Sequence, residues 1–238
     1  MSVGELIQQW NVVSDVTLDA LEANQLLREA GIQVADAVAA YSLDEATATA
    51  SDLGLPVQIS PLSRERFPSQ GNGVARLATS ESGVPLAYEA VLDAALVWDP
   101  QAAATGVLVR RVPRPGVEIA LAVVRDDLFG PVLTFGFGRM AIDIWDDVAY
   151  RILPLTAKDA RLMPEEPRAR ALLRGYGTLE PPKASLLEKL LQQLSDLVED
   201  TAEVWEMDLD PVYAYRDEIV VAGARIVLRN PNIDSGGV

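Results

Sequence analysis

The stretch 117–137, VEIALAVVRDDLFGPVLTFGF, decides the fold of this chain. Residues 117–125 and 132–137 are rich in Val, Ile and Phe, and Asp126, Asp127, Gly130 and Pro131 lie between them. Apolar, β-branched runs that are separated by Asp, Gly and Pro are typical of two strands joined by a turn. We therefore predict a strand pair here, and a further strand at 107–112 just before it.

Outward from this strand pair, helical and strand-like patterns alternate irregularly along the chain. The clearest helix is predicted at 185–199, where Leu186, Leu190 and Leu194 form one apolar face. A first helix is predicted to start near Leu18 with Thr17 as its cap. The mixture predicts an α+β (mixed α/β) class with lobes at 14–100 and 105–229 and a flexible tail at 230–238. Other predicted helices are 44–53, 84–98, 158–162 and 168–173, and other predicted strands are 34–41, 56–60, 74–78, 204–209 and 218–228.

The composition excludes several kinds of function. Twenty Lys plus Arg against 35 Asp plus Glu give a net charge of −15, which repels nucleic-acid phosphates. The absence of Cys and His excludes disulfides, imidazole zinc sites and every catalytic triad that needs histidine. Any chemistry must use carboxylates, hydroxyls, Arg, Lys or backbone amides.

The distribution of apolar and basic residues indicates a soluble, cytoplasmic protein that does not bind a membrane. The first nine residues contain Glu5 and no basic residue, so they lack the charged start of a signal peptide. The longest apolar stretches are too short to span a bilayer.

Several short sequence strings resemble those of a known protein family. Those in the second half are Gly116-Val117-Glu118-Ile119, Val123-Val124-Arg125-Asp126, Phe129-Gly130-Pro131-Val132, Phe135-Gly136-Phe137-Gly138, Asp147-Val148-Ala149-Tyr150-Arg151 and Glu206-Met207-Asp208-Leu209-Asp210-Pro211. Those in the first half are Leu21-Glu22-Ala23 and Leu53-Gly54-Leu55-Pro56-Val57. In order and spacing, they closely resemble the ATP-grasp domain of NDP-forming acyl-CoA synthetases, over about residues 14–229.

The resemblance implies an ATP-grasp fold, in which two α+β lobes close on ATP and Mg²⁺ with a cleft between them. In that family, phosphoryl transfer activates a carboxylate, often through a phosphohistidine on a separate CoA-binding subunit or domain. A triphosphate needs cations and backbone donors, and the metal needs carboxylate oxygens. Each requirement can be compared with the sequence.

The phosphate-binding positions depart from the family pattern. Ser60 stands where the family has a lysine, and the segment 68–74 lacks the family's histidine and lysine. Arg can bind phosphate through its planar fork, so Arg76 and Arg110 are candidates for compensation. Ser60, Arg76 and Arg110, together with Glu118, are the candidate nucleotide-binding residues. For Glu118, an edge strand or an ion pair with an Arg is the alternative.

The metal-binding positions are partly kept. Asp208 and Asp210 are two residues apart, so on a strand they face the same side, as joint coordination of a cation requires. They are the candidate metal ligands, and a solvent-facing strand end is the alternative. The family's third acidic position falls at Gly223, where no carboxylate is available.

Two functions follow from the resemblance, and catalysis by this chain stays open between them. The first is the nucleotide-binding subunit of an acyl-CoA synthetase, a ligase whose ATP turnover is impaired or lost. It would act with a CoA-binding, phosphohistidine-bearing subunit in trans, because the chain has no histidine for the relay. The second is a pseudoenzyme: a scaffold or regulatory subunit that keeps the fold for assembly only. An oligomer is compatible with either function.

Overall fold

The predicted strand pair lies in the middle of the larger of two sheets in the computed structural model, which describes residues 2–64, 74–97 and 106–231. In chain order, the helices are α1 (Val3–Trp10), α2 (Ala20–Glu29), α3 (Leu43–Leu53), α4 (Gly83–Leu96), α5 (Arg139–Trp145), α6 (Ala157–Leu162) and α7 (Ala184–Asp200). Two 3₁₀ helices span Met163–Glu165 and Arg168–Arg174. The strands are β1 (Val16–Thr17), β2 (Ala37–Ala40), β3 (Val57–Pro61), β4 (Arg76–Ala78), β5 (Val107–Arg111), β6 (Val117–Asp126), β7 (Gly130–Gly136), β8 (Val148–Ile152), β9 (Val204–Ala214), β10 (Ile219–Val221) and β11 (Ala224–Leu228).

The described residues divide into two units. The small unit contains residues 19–21 and 35–114, and the large unit contains residues 1–18, 22–34 and 115–238. These bounds differ from the predicted lobes, 14–100 and 105–229, at both ends. β5 belongs to the small unit because it pairs with β2 and β3, and β1 belongs to the large unit because it pairs with β11.

The small unit is a four-stranded antiparallel sheet in the order β2-β5-β3-β4, with α3 and α4 on one face. Ser42 begins α3 by accepting a hydrogen bond from the backbone N–H of Glu45. Gly54 ends it with φ 79°, a conformation that favours glycine. Alternate residues of the strands, such as Val57 and Ile59, are buried against these helices.

The large unit is a seven-stranded antiparallel sheet in the order β1-β11-β9-β6-β7-β8, with β10 paired to β9. One face packs against helices through a single apolar cluster that includes Ile119, Phe135 and Met207. α7 contributes to this cluster, as predicted, but its buried face is wider than the predicted leucine stripe. The buried set comprises Leu187, Leu190, Leu191, Leu194, Ser195, Leu197 and Val198, and Leu186 is only partly buried.

Several predicted boundaries were wrong, and long-range pairing explains each. Thr17 does not cap a helix because it lies in β1, where it pairs with Val227 of β11. Asp19 instead accepts the backbone N–H of Leu21 at the start of α2. The predicted strand 218–228 is two strands, β10 and β11, and the predicted strand 204–209 continues to 214.

The structure confirms the mixed helix-and-sheet class. No helix among residues 2–64, 74–97 and 106–231 has both the length and the apolar character needed to cross a membrane. The predicted phosphate-facing segment at 68–73 and the predicted tail from 232 onward lie outside the described residues.

Candidate functional site

Two of the predicted nucleotide-binding residues share one face of the small unit's sheet. On β3 and β5, Gln58 is paired with Arg110 and Ser60 with Leu108, so all four side chains lie on the face opposite α3 and α4. Arg110 and Ser60 are diagonal neighbours, a relation that separates Cα atoms by about 7–8 Å. The guanidinium of Arg110 donates a hydrogen bond to the side-chain oxygen of Gln58.

The other arginines of this sheet lie on the opposite face. Arg76 on β4 is paired with Ile59, whose side chain is buried against the helices, so Arg76 does not share a face with Ser60. Arg111 donates through Nε and Nη2 to the carbonyl oxygen of Leu53, the last residue of α3. Arg111 therefore stabilises a helix end. Of the arginines on these strands, only Arg110 is placed to act with Ser60.

In the large unit, the face of the sheet opposite the apolar cluster carries a row of acidic residues on β9. Glu206, Asp208 and Asp210 are half-buried and alternate with the buried Met207 and Leu209. The alternation places the three carboxylates on one face. After Asp210, the alternation of half-buried and buried residues along β9 shifts by one residue. The cause is the pairing register between β6 and β9, which is irregular between Ile119 and Leu121.

Arg225 on β11 neutralises part of this row. It is paired with Asp208, and its Nη1 lies 2.7 Å from Oε1 of Glu206 and 3.6 Å from Oδ2 of Asp208. About 27% of its side chain is exposed, so the ion pairs are only partly shielded from water. Its Nε is buried and has no hydrogen-bond partner among the described residues. Asp208 is therefore already paired with a cation.

Gly223 lies so close to β9 that a side chain does not fit there. A Cβ built on it would lie 2.1 Å from the carbonyl oxygen of Asp210 and 3.1 Å from Cδ of Pro211. The backbone is held by hydrogen bonds from Asp210 N to Gly223 O (3.0 Å) and from Gly223 N to Pro211 O (3.1 Å). Gly223, where the family pattern has its third acidic residue, therefore has no carboxylate and no room for a side chain.

Among the residues that the structure describes, the acidic face of the large unit's sheet lacks the ligand set that a divalent metal needs. Within residues 2–64, 74–97 and 106–231, no group of three or more acidic side chains is arranged to hold a metal ion. Mg²⁺ needs an octahedral set of oxygens, and here one predicted ligand, Asp208, is paired with Arg225. The described residues of this face do not form a divalent-metal site by themselves, and the role of Asp208 and Asp210 as metal ligands stays a prediction.

Glu118 lies on the same face, on the central strand β6. It is half-buried and paired with Tyr213 on β9, and β7 pairs with the other side of β6 from Ala120 onward. The alternative that Glu118 sits on an edge strand is therefore wrong. Gly138, which has φ 60°, is close by: a Cβ there would lie 3.7 Å from Oε1 of Glu118. The glycine keeps the backbone near this carboxylate.

Two charged residues of the matching strings are structural. Asp147 is buried and accepts the backbone N–H groups of Arg168 (2.7 Å) and Ala169 (2.9 Å), so it caps the 3₁₀ helix 168–174. Arg151 pairs with Glu166 and with Asp159, and these contacts, the hydrogen bond with Glu166 first among them, raise the pKa of its guanidinium above the ordinary value. Neither residue faces the acidic row on β9.

The chain is similar to known proteins of one family. Residues 12–228 match the family model described as an ATP-grasp domain. This chain belongs to the ATP-grasp domain family. The resemblance deduced from the sequence strings is confirmed.

Several similar proteins are acyl-CoA synthetases. The chain is 34% identical over 212 residues to the beta subunit of acetate–CoA ligase (ADP-forming) II of Pyrococcus furiosus, covering 87% of this chain and 90% of that subunit. It is 32% identical over 207 residues to acetate–CoA ligase (ADP-forming) I of Archaeoglobus fulgidus, and it spans 30% of that longer protein.

A solved structure confirms the ATP-grasp fold. The dinucleotide-forming acetyl-coenzyme A synthetase 1 of Ca. Korarchaeum cryptofilum, in complex with coenzyme A, Ca-AMPCP and HgCl⁺, superimposes with a TM-score of 0.82 at 30% identity. The match covers 96% of this chain and all of that one. The two-lobed mixed fold predicted from the strings is thereby identified as ATP-grasp.

Sequence reasoning missed Arg225 and Gln58. Arg225 directly follows Gly223 and Ala224, but only the register of β11 against β9 shows that it reaches Glu206 and Asp208. The signal that could have found it is alternation: residues 223 and 225 lie on the same side of a strand. Gln58 carries no such signal, because amides are common on strand surfaces.

Proposed function

We propose that this chain is the nucleotide-binding, beta-like part of an ADP-forming acyl-CoA synthetase. We further propose that it acts with a CoA-binding partner and has weak or no ATP turnover of its own. The observation that carries the proposal is the 34% identity to a beta subunit, of which the match covers 90%. The relative's reaction, acetate–CoA ligation with ADP formation, gives the class of reaction.

The small unit would contribute to phosphate binding through Arg110 and Ser60. A hydroxyl at 60 can donate one hydrogen bond to a phosphate, but it brings no positive charge where the family pattern has a lysine. Because the phosphate is itself charged, the hydrogen bond is charge-assisted in both cases, and what is lost is the attraction between the lysine ammonium and the phosphate. Arg110 lies on the same face, but its guanidinium is engaged with Gln58. We therefore expect weaker triphosphate binding than in a lysine-bearing relative.

The large unit would contribute Glu118, whose carboxylate lies beside Gly138. No step is assigned to Mg²⁺ at Asp208 and Asp210, because the residues around them do not fit a metal. The phosphoryl relay requires a partner, since the sequence contains no histidine to carry the phosphoryl group. A subunit with a CoA-binding domain and a phosphorylatable histidine would supply both missing parts.

The first experiment measures turnover. The purified chain is incubated with ATP, CoA and a panel of carboxylic acids, and acyl-CoA and ADP or AMP are followed. The Ca. Korarchaeum cryptofilum enzyme serves as the positive control. We expect no steady production by the chain alone, and activity or a stable complex with a co-encoded CoA-binding subunit. Steady acyl-CoA formation without a second protein would refute the proposal.

A second candidate is a non-catalytic scaffold or regulatory subunit. It is favoured by the loss of charged groups at Ser60 and Gly223, two positions where the family pattern binds phosphate and metal. The Arg110→Gln variant separates the candidates within the complex. A nucleotide-binding role predicts a rise of about tenfold or more in the KM for ATP. A scaffold role predicts no change. The matched control is Arg76→Gln, on the opposite face of the same sheet.

A further inference from the structure

The carboxylates of Glu206 and Asp208 have one cation in common. Arg225 Nη1 contacts both, at 2.7 Å and 3.6 Å. The strand on the other side offers no charge, because Ala122 of β6 is paired with Asp208 and Val124 with Glu206. Among the strands that flank this part of β9, Arg225 is therefore the residue that balances the acidic pair.

A guanidinium and a divalent cation compete for such a pair. Both are attracted by the same carboxylate oxygens, and each repels the other at these separations. An arginine does not lose its charge near neutral pH, so the competition does not depend on protonation. A third carboxylate, which would favour the metal, has no room at Gly223 because the backbone of Asp210 occupies that space.

We propose that Arg225 is the resident cation of this sheet face, pairing with Asp208, one of the two residues that the family pattern assigns to a protein-held metal. The chain accordingly has no tight divalent-metal site on β9, so a polyphosphate at this face would meet no protein-held metal. Only this last consequence rests on the proposed function, since metal binding is measurable without a nucleotide.

The test is a titration of Mn²⁺ alone, followed by the electron paramagnetic resonance signal of the free ion. The wild-type chain, Arg225→Gln and Arg225→Lys are compared. Arg216→Gln is the control for non-specific attraction, because it removes an arginine from an exposed pair with Glu180. Circular dichroism checks that each variant is folded.

The expected result is no saturable Mn²⁺ binding by the wild-type chain, Arg225→Lys or Arg216→Gln below about 1 mM. Arg225→Gln should bind Mn²⁺ at least about tenfold more tightly than the wild-type chain. The proposal is overturned if the folded Arg225→Gln variant gains nothing, or if Arg225→Lys gains as much. It is overturned equally if the wild-type chain binds Mn²⁺ at micromolar concentration and Asp208→Asn abolishes that binding. This last measurement does not need Arg225→Gln to fold.

The outcome is separate from that of the proposed function. Mn²⁺ binding by the wild-type chain and its Arg225 variants can be measured even if the chain neither binds ATP nor assembles with a partner. Conversely, tight Mn²⁺ binding would contradict the role of Arg225 and leave the family assignment intact.

Discussion

Replacing Gly223 with alanine is expected to destabilise the large unit strongly. The added Cβ would lie 2.1 Å from the carbonyl oxygen of Asp210 and 2.7 Å from its carbonyl carbon. These are backbone atoms, so a side-chain rotation cannot relieve the clash. The strands must separate locally, which strains the hydrogen bonds Asp210 N to Gly223 O, Gly223 N to Pro211 O and Ala222 N to Pro211 O. At about 0.5–1.5 kcal/mol each, the loss of these three hydrogen bonds reduces the free energy of unfolding by about 1.5–4.5 kcal/mol.

The assay is urea unfolding followed by circular dichroism, with the free energy of unfolding compared between variants. The matched control is Gly4→Ala in α1, where no atom lies within 4 Å of the added Cβ. That change should stabilise the same unit by up to about 1 kcal/mol, since alanine is the better helix former. The reasoning is refuted if Gly223→Ala unfolds within about 0.5 kcal/mol of the wild-type chain.

Three further predictions follow from the described contacts. Ser60→Lys should tighten ATP binding by about tenfold or more in calorimetric titration, because it restores a charge beside Arg110; unchanged affinity would contradict this role. Asp147→Ala should lower the free energy of unfolding by about 2–4 kcal/mol, because two N–H groups lose their acceptor; an unchanged urea midpoint would disprove the capping role. The hydrogen bond from Arg229 lowers the pKa of Asp15, so its stabilising effect is present above about pH 4 and lost as the pH falls further. Asp15→Asn should therefore flatten the acid side of the stability profile measured by urea unfolding, and an unaltered profile would count against the contact.

The secondary-structure elements that depend on a local residue pattern could be predicted from the sequence. The Val-rich stretch and its Asp-Gly-Pro turn predicted β6 and β7, and leucine periodicity predicted α7. The predicted helix 44–53 ends where α3 ends, just before Gly54, because a residue with positive φ at a helix end is commonly glycine. The order of the strings also led to the correct family.

Features set by strand register could not be predicted. Residues 218–228 form a continuous β-pattern, and their division at Ala222 and Gly223 comes from the close approach of β9. Likewise, the shared face of Ser60 and Arg110 follows from the pairing of β3 with β5, which are 46 or more residues apart in sequence. Such long-range contacts have no local signature.

The central claim is that this ATP-grasp chain alone binds nucleotide weakly. Its most direct test is a calorimetric titration of the purified chain with ATP in the presence of Mg²⁺. We expect a Kd at or above about 1 mM, equivalent to a binding free energy of about −4 kcal/mol or weaker. Saturable binding at low micromolar concentration would contradict it, and would mean that Arg110 compensates fully for the lysine absent at Ser60.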